Sequence, residues 1–315
     1  NRQYGVITNS SPIINISDND FTNSGFSGGW VLHLSGITAS AAISGNTFVG
    51  ATNGIKLISS TNLSIGATSG DIQVGSQLKE LYFPLEVANG SNITVSNIDF
   101  GRTVIGGAQV NFSGVNGISV TNCTVTNRNY GLLFTSCSNV VATNNNLTDS
   151  GVSGGYALYL NSCAGTLDAT GNTYGGITTN GINLINGNGL TLGSTVGEFQ
   201  FGNQLKEIAN PINVQGGSNI TLTGGNFAKT AAGGSAINIS GVTNITVSNN
   251  MLTNRTYGII ISNCSNVSIS GNDFTDSGVS GGYALYLNSL TGTLSATGNT
   301  FAGSTTQAIY GNVLN

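Results

Sequence analysis

Twelve Asp or Glu, eight Lys or Arg and one histidine, His33, supply the acid–base chemistry of this 315-residue chain. Few of them fall where they could meet. Lys56 and Glu86 occupy the same place in two successive apolar triplets, Ile55–Lys56–Leu57 and Leu85–Glu86–Val87. A general base must reach the proton it removes, and glycoside hydrolysis needs two carboxyls roughly 5–9.5 Å apart. No second acid stands beside Glu86 in this pattern, so the pair reads more simply as a surface ion pair contributing up to about 1 kcal/mol. His33 replaces Tyr159 and Tyr286 at an equivalent position and reads as an exposed polar strand residue, with no catalytic or metal role. The four cysteines lack metal-type spacing, and no cofactor motif is present. Cys137 and Cys163 take matching places (TSCSN and NSCAG), which puts them within disulfide reach; Cys123 and Cys264 have no such partner. Arg2, Arg128 and Arg255 recur at one position of a long repeat, and Lys79 and Lys206 at another. Such copies lie too far apart to converge on one bond, but could touch a long partner at intervals.

The elements that must position these groups are themselves repeated. Thr148–Ser162 returns unchanged as Thr275–Ser289, 127 residues later, with a weaker copy at Thr22–Gly36. The long units run 1–126, 127–253 and, in part, 254–315. Inside each unit an apolar–X–apolar triplet recurs every 22 to 30 residues, from Val6 to Ile309. A second triplet follows, as in Ile245–Thr246–Val247, then an Asn-bearing turn, then a large apolar residue such as Phe21, Phe48, Phe227, Phe274 or Phe301. Period-2 triplets cut by turns describe short strands, and a short strand repeating at this period describes a coil stacked on itself. Asn19, Asn46, Asn145, Asn172, Asn250, Asn272 and Asn299 then share one column, where amides can bond from coil to coil.

The same stacking aligns the outward residue of each first triplet. That column runs from Ile7 and His33 through Lys56, Glu86, Tyr159, Asn183, Asn213 and Asn238 to Tyr286 and Tyr310. Tyr159, Tyr286 and Tyr310 face out there among asparagines. A ring can stack on a pyranose while amides bond its hydroxyls, or the tyrosines can simply stack across strands. The second triplets present Ser64, Thr94, Ser119, Thr221, Thr246 and Ser268, a hydroxyl face similar to that of ice-binding solenoids but broken by Asn15, Ala42, Val141 and Asp168.

Composition agrees with an all-β chain. Glycine is abundant (47 residues), only 6% of residues are charged, and 38% are hydrophobic, which argues against both disorder and a helical surface. Eight basic residues and a net charge of −4 exclude nucleic acid as a natural partner. No apolar run is long enough to span a membrane. Two longer coils, Ser59–Phe83 and Gly187–Asn210, each carry Gln-Leu-Lys-Glu (Gln77–Glu80, Gln204–Glu207). They read as turns closed by a solvated ion pair or as a repeated protruding binding loop.

The repeated GIxI…NIxVxxNxF element, as in Gly258–Ile261, Asn266–Ile269 and Asn272–Phe274, resembles the right-handed parallel β-helix of the pectate-lyase-like superfamily. The resemblance implies one continuous all-β solenoid over residues 1–315, of about twelve coils and uncapped at both ends. Polysaccharide-cleaving members place Asp, Lys and Arg, often with calcium, on the outward side of the first strand column. The superfold also hosts tailspikes and adhesins. The near-identical tandem units are similar to repeat regions of giant bacterial cell-surface adhesins and extracellular filaments. That likeness implies a structural or adhesive shaft, extracellular or at the cell surface, and not an enzyme. A glycan-binding β-helix using Tyr159, Tyr286, Tyr310 and His33, or a polysaccharide lyase or hydrolase, is the alternative. The partners implied are extracellular polysaccharide, neighbouring repeats and subunits stacked end to end.

Overall fold

The computed structural model describes residues 2–303 and 305–313, and over them the chain winds as a parallel β-solenoid of about twelve turns without a helix. Every strand pairing is parallel. The register is the one the triplets predict: Val6 pairs with Leu32, Leu32 with Ile55, and so on through Ile237, Ile259 and Leu285 to Ile309. In Tyr257–Ser262 the outer members of the triplet, Ile259 and Ile261, are fully buried while Ile260 between them is partly exposed. The glycine before the triplet is required by close approach. A Cβ on Gly258 would come within 2.5 Å of the Ala284 carbonyl oxygen and of the Phe274 ring.

Each coil turns a corner into a second sheet. Asn219, Asn244 and Asn266 sit at that corner with φ of 56°, 58° and 53°, the left-handed region that asparagine tolerates better than most side chains. In three coils the strand runs through the corner unbroken, as in Asn180–Gly193, Asn210–Thr223 and Leu285–Thr297. The third face is held by single-residue bridges, for example Asn226 to Met251 to Asp273 to Thr300.

Two internal columns lock the stack. The large apolar residues that close each coil pile up: Phe274 and Phe301 stack at 5.0 Å, Phe21 and Phe48 lie 6.2 Å apart, and Phe100, Phe227 and Phe274 are fully buried. Burying each such ring contributes about 1.5–3 kcal/mol. Beside them runs the asparagine ladder. The Asn250 amide and side-chain Nδ2 both donate to Asn272 Oδ1 (3.0 and 2.9 Å), and Asn272 repeats this on Asn299. Asn145 does the same to Asn172, and Asn19 to Asn46.

The long coils do not protrude. After Thr61–Gly66 the chain steps back within seven residues, and Ile72–Gln73 inserts between that strand and Ser40–Ser44 of the preceding coil. Asp71 holds the step, accepting from the Ser64 amide and hydroxyl at 2.8 and 2.7 Å; Glu198 accepts from the Thr191 amide at 2.7 Å in the second copy. In the Gln-Leu-Lys-Glu segments Leu78 and Leu205 are fully buried, so each segment plugs the core. Their charges do not pair within the segment. Lys79 meets Asp99 at 3.0 Å, and the Glu80 carboxylate accepts from the Thr103 amide and hydroxyl on the next coil.

Candidate functional site

The outward column of the first sheet aligns as its spacing predicts. His33 pairs with Lys56, Lys56 with Glu86, Tyr159 with Asn183, Asn183 with Asn213, Asn213 with Asn238 and Tyr286 with Tyr310. Its first third carries the charge. Lys56 Nζ lies 2.8 Å from the Glu86 carboxylate and 5.9 Å above the Trp30 ring, so both polar groups are engaged. His33 is half-buried, not exposed; Tyr4 lies 5.8 Å from it, and burial, followed by the Lys56 charge, lowers its pKa so that it is neutral at pH 7. Among the described residues no three His, Cys, Asp or Glu side chains gather as a metal site would need.

Further along, the column is uncharged and aromatic at intervals. Tyr159 is met by Tyr130 edge-on at 5.9 Å and by Tyr156 at 6.3 Å. One unit later Tyr286 is met by Tyr257 edge-on at 6.2 Å and by Tyr283 at 5.9 Å, and it stacks on Tyr310 at 4.7 Å with planes 9° apart. The stacked pair cover one face of each other, so Tyr286 and Tyr310 have less ring face for a sugar than their outward position suggests. Tyr130, Tyr156, Tyr257 and Tyr283 were not singled out from the sequence. Their signal is a tyrosine two residues before an apolar triplet, repeated with the unit. Between the clusters lie two amide ladders. Asn213 Nδ2 donates to Asn183 Oδ1 (2.7 Å) and Asn238 Nδ2 to Asn213 Oδ1 (2.9 Å), while Asn210 Nδ2 donates to Asn180 Oδ1 (2.9 Å).

The recurring arginines correct a sequence expectation. Arg2 is exposed, but Arg128 and Arg255 are fully buried and cannot touch a partner. Arg255 Nε donates to the Phe227 carbonyl (2.6 Å), and one terminal nitrogen donates to Ile208 and Ala209 (2.7 and 3.0 Å), two coils back. Arg128 repeats this on Phe100, Ala108, Tyr82 and Leu81. Burial pushes the Arg255 guanidinium down to about 10 and, with the nearby Arg102 charge, Arg128 to about 9; both stay protonated at neutral pH. The repeated Thr-Asp-Ser-Gly stretch holds the same arginines from the next coil. Ser277 Oγ accepts the Arg255 amide (2.9 Å) and the Gly278 amide donates to the Arg255 carbonyl (2.9 Å).

The sequence pattern of the right-handed β-helix region matches residues 31–201 and 201–314. The chain belongs to the right-handed β-helix family. No curated protein matches it.

In this β-helix the cysteines are internal. All four are buried and free, and Cys137 and Cys163 point inward from consecutive coils, each thiol directed at backbone carbonyls, so the bridge that their spacing permits is not formed in the structure. Burial raises every thiol, Cys123 and Cys163 to about 11. The hydroxyl face of the second sheet is wider than its single column: Thr223, Ser248, Ser270 and Thr297 form a second rank beside Thr221, Thr246, Ser268 and Ser295. Within that rank Ser248 Oγ donates to Thr223 Oγ1 at 3.1 Å. No helix among the described residues is long and apolar enough to cross a membrane.

Proposed function

We propose that the chain is a stiff, non-catalytic shaft of a secreted or cell-surface repeat protein, adhesive through many weak contacts and not through one reactive centre. One observation carries the reading. What is copied between the second and third units is the interior that locks coils together, Arg128 with Ser150 and Arg255 with Ser277, while the outward column is kept only in part: Tyr159 returns as Tyr286 where the first unit has His33, but one coil on Lys56 becomes Asn183 and then Tyr310. Copying that preserves internal clamps and lets part of the outer face drift serves length and rigidity, as expected of a solenoid whose stability sums over neighbouring coils. Lys56 and Glu86, the acid and base that meet on the outer column, satisfy each other at 2.8 Å. Regular repetition also lets weak contacts with extracellular polysaccharide or neighbouring repeats add up.

The test is turnover. Incubation with neutral and acidic polysaccharides, followed by assay for new reducing ends and for unsaturated products, is expected to give nothing above buffer. Turnover that vanishes in Glu86→Ala or Lys56→Ala would overturn the reading in favour of a lyase or hydrolase.

A further inference from the structure

Cys137 and Cys163 stand side by side inside the stack. The Ser136 amide donates to the Asn161 carbonyl and the Ala164 amide to the Cys137 carbonyl (2.8 and 2.9 Å), so the two cysteines are direct neighbours on consecutive coils. Their sulfurs take matching poses. Cys137 Sγ is directed at the Phe112 and Thr135 carbonyls (3.5 Å each), and Cys163 Sγ at those of Phe134 and Asn161 (3.7 Å each). Phe112 pairs with Phe134, and Thr135 with Asn161. Each sulfur is therefore the image of the other one coil on, about 4.8 Å away. The same step separates their Cβ atoms, which is wide for a disulfide, where they lie about 3.5–4.5 Å apart. It matches two metal–thiolate bonds set end to end, each about 2.3 Å as in zinc sites. We propose that Cys137 and Cys163 bind one soft divalent cation in a line between their sulfurs, a function separate from the shaft role. Two ligands suffice for an ion held in this way.

The fold supplies a way in. Ala164–Asp168 is the last strand of its sheet, and the next coil pairs forward with Asn210–Thr223. The two coils part like a fork around Phe199–Gln200, which pairs with Leu192 and Gly193, while the Glu198 carbonyl accepts from the Ala169 amide. In the crotch lies a cavity of about 300 Å³ whose lining includes Cys163, Leu167, Asn186 and Leu190. Cys163 is 9% exposed there, against 1%, 1% and 2% for Cys123, Cys137 and Cys264. The fork of the first unit is tied at this point. Ile37 takes the place of Cys163, its amide donates to Ser60 Oγ, and its carbonyl accepts from the Thr61 amide. In the second unit Gly187 stands where Ser60 does and offers no hydroxyl. Charge selects the ion. Each thiol releases its proton as its sulfur–metal bond forms and no electron moves, so two protons leave and a doubly charged ion becomes a neutral complex. A monovalent ion would leave a negative charge buried in an apolar column. Zinc closes four ligands in a structural site and finds only two thiols here. Thiolates favour soft metals, which makes the mercuric ion the probe. The third unit is an internal control: Cys264 repeats Cys137, but Val242 and Leu290 flank it on the coils before and after, so its thiol stands alone.

The experiment adds one equivalent of mercuric chloride to the whole folded chain, with excess N-acetylcysteine as a competing single thiol, and reads the product by native mass spectrometry. One mercury per chain is expected, with two protons lost and no chloride kept, and X-ray absorption should show two sulfurs on the metal. Closing both bonds on one molecule should strengthen binding on the order of 10²–10⁴-fold over a single thiol, and Cys163→Leu and Cys137→Val should each lose a factor in that range. Both variants repeat packing that the chain already carries around Cys264, and circular dichroism checks that they fold. Cys264→Val should bind like the parent. No retention against the competitor, one-proton adducts spread over Cys123 and Cys264, full retention in folded Cys163→Leu, or uptake that begins only in denaturant would each overturn the proposal. None of these outcomes concerns turnover, so the shaft reading is left to its own assay.

Discussion

Replacing Arg255 by alanine tests the internal clamp. Its side chain is fully buried, has no carboxylate among its hydrogen-bond partners, and donates to the carbonyls of Phe227, Ile208 and Ala209. Removal leaves three inward carbonyls without that donor, each costing about 1–3 kcal/mol, plus a cavity where the methylenes lay. Relief from desolvating the guanidinium offsets part of this. The net loss is expected at about 3–5 kcal/mol, the carbonyl and cavity costs together less that relief. Arg255→Lys should recover only part, because an ammonium cannot bridge carbonyls on two separate coils with a planar fork. Urea unfolding followed by circular dichroism gives the midpoints. Lys206→Ala, at an exposed residue, is the reference and should stay within about 0.5 kcal/mol of the parent. If Arg255→Ala unfolds within 1 kcal/mol of the parent by the same measurement, the clamp is not what holds these coils.

Breaking the amide ladder with Asn272→Leu takes the acceptor from the Asn250 amide and side chain, and should cost about 2–3 kcal/mol in the same titration. Leu205→Ala removes the plug of the second long coil and should cost about 2–5 kcal/mol, whereas a protruding loop would show almost none. Lys56→Ala opens a partly exposed ion pair and should shift stability by under about 1 kcal/mol, with less effect still at high salt. Buried thiols raised by desolvation should resist maleimide between pH 7 and 9 in the folded chain and react at once in denaturant, as read by mass spectrometry.

Much of this molecule can be read from its residue pattern. The apolar triplets give the register of the first sheet pair by pair, because a one-residue slip would turn Ile259 and Ile261 outward. The asparagine column is equally legible, since Asn272 recurs at the same distance from its Phe as its neighbours do. The fate of Arg128 and Arg255 is not. A charged residue at a fixed interval looks the same in sequence whether it points out or in, and its carbonyl partners are on the backbone, which leaves no side-chain signature. The Gln-Leu-Lys-Glu segments mislead for a related reason: one leucine among polar neighbours gives no period to show that it enters the core. The clustered tyrosines are visible one by one, but their pairing across coils depends on the bend before each strand, which alternation alone does not describe.

The claim on which the rest depends is that copying the unit extends one straight body. A chain carrying one more copy of residues 127–253 after residue 253 puts this to small-angle scattering in solution. The account expects the long dimension to grow by about 24 Å with the cross-section unchanged, five further coils at strand spacing. A thicker cross-section, or growth well short of that length, would contradict it by showing a bend or a separately folded body at the junction.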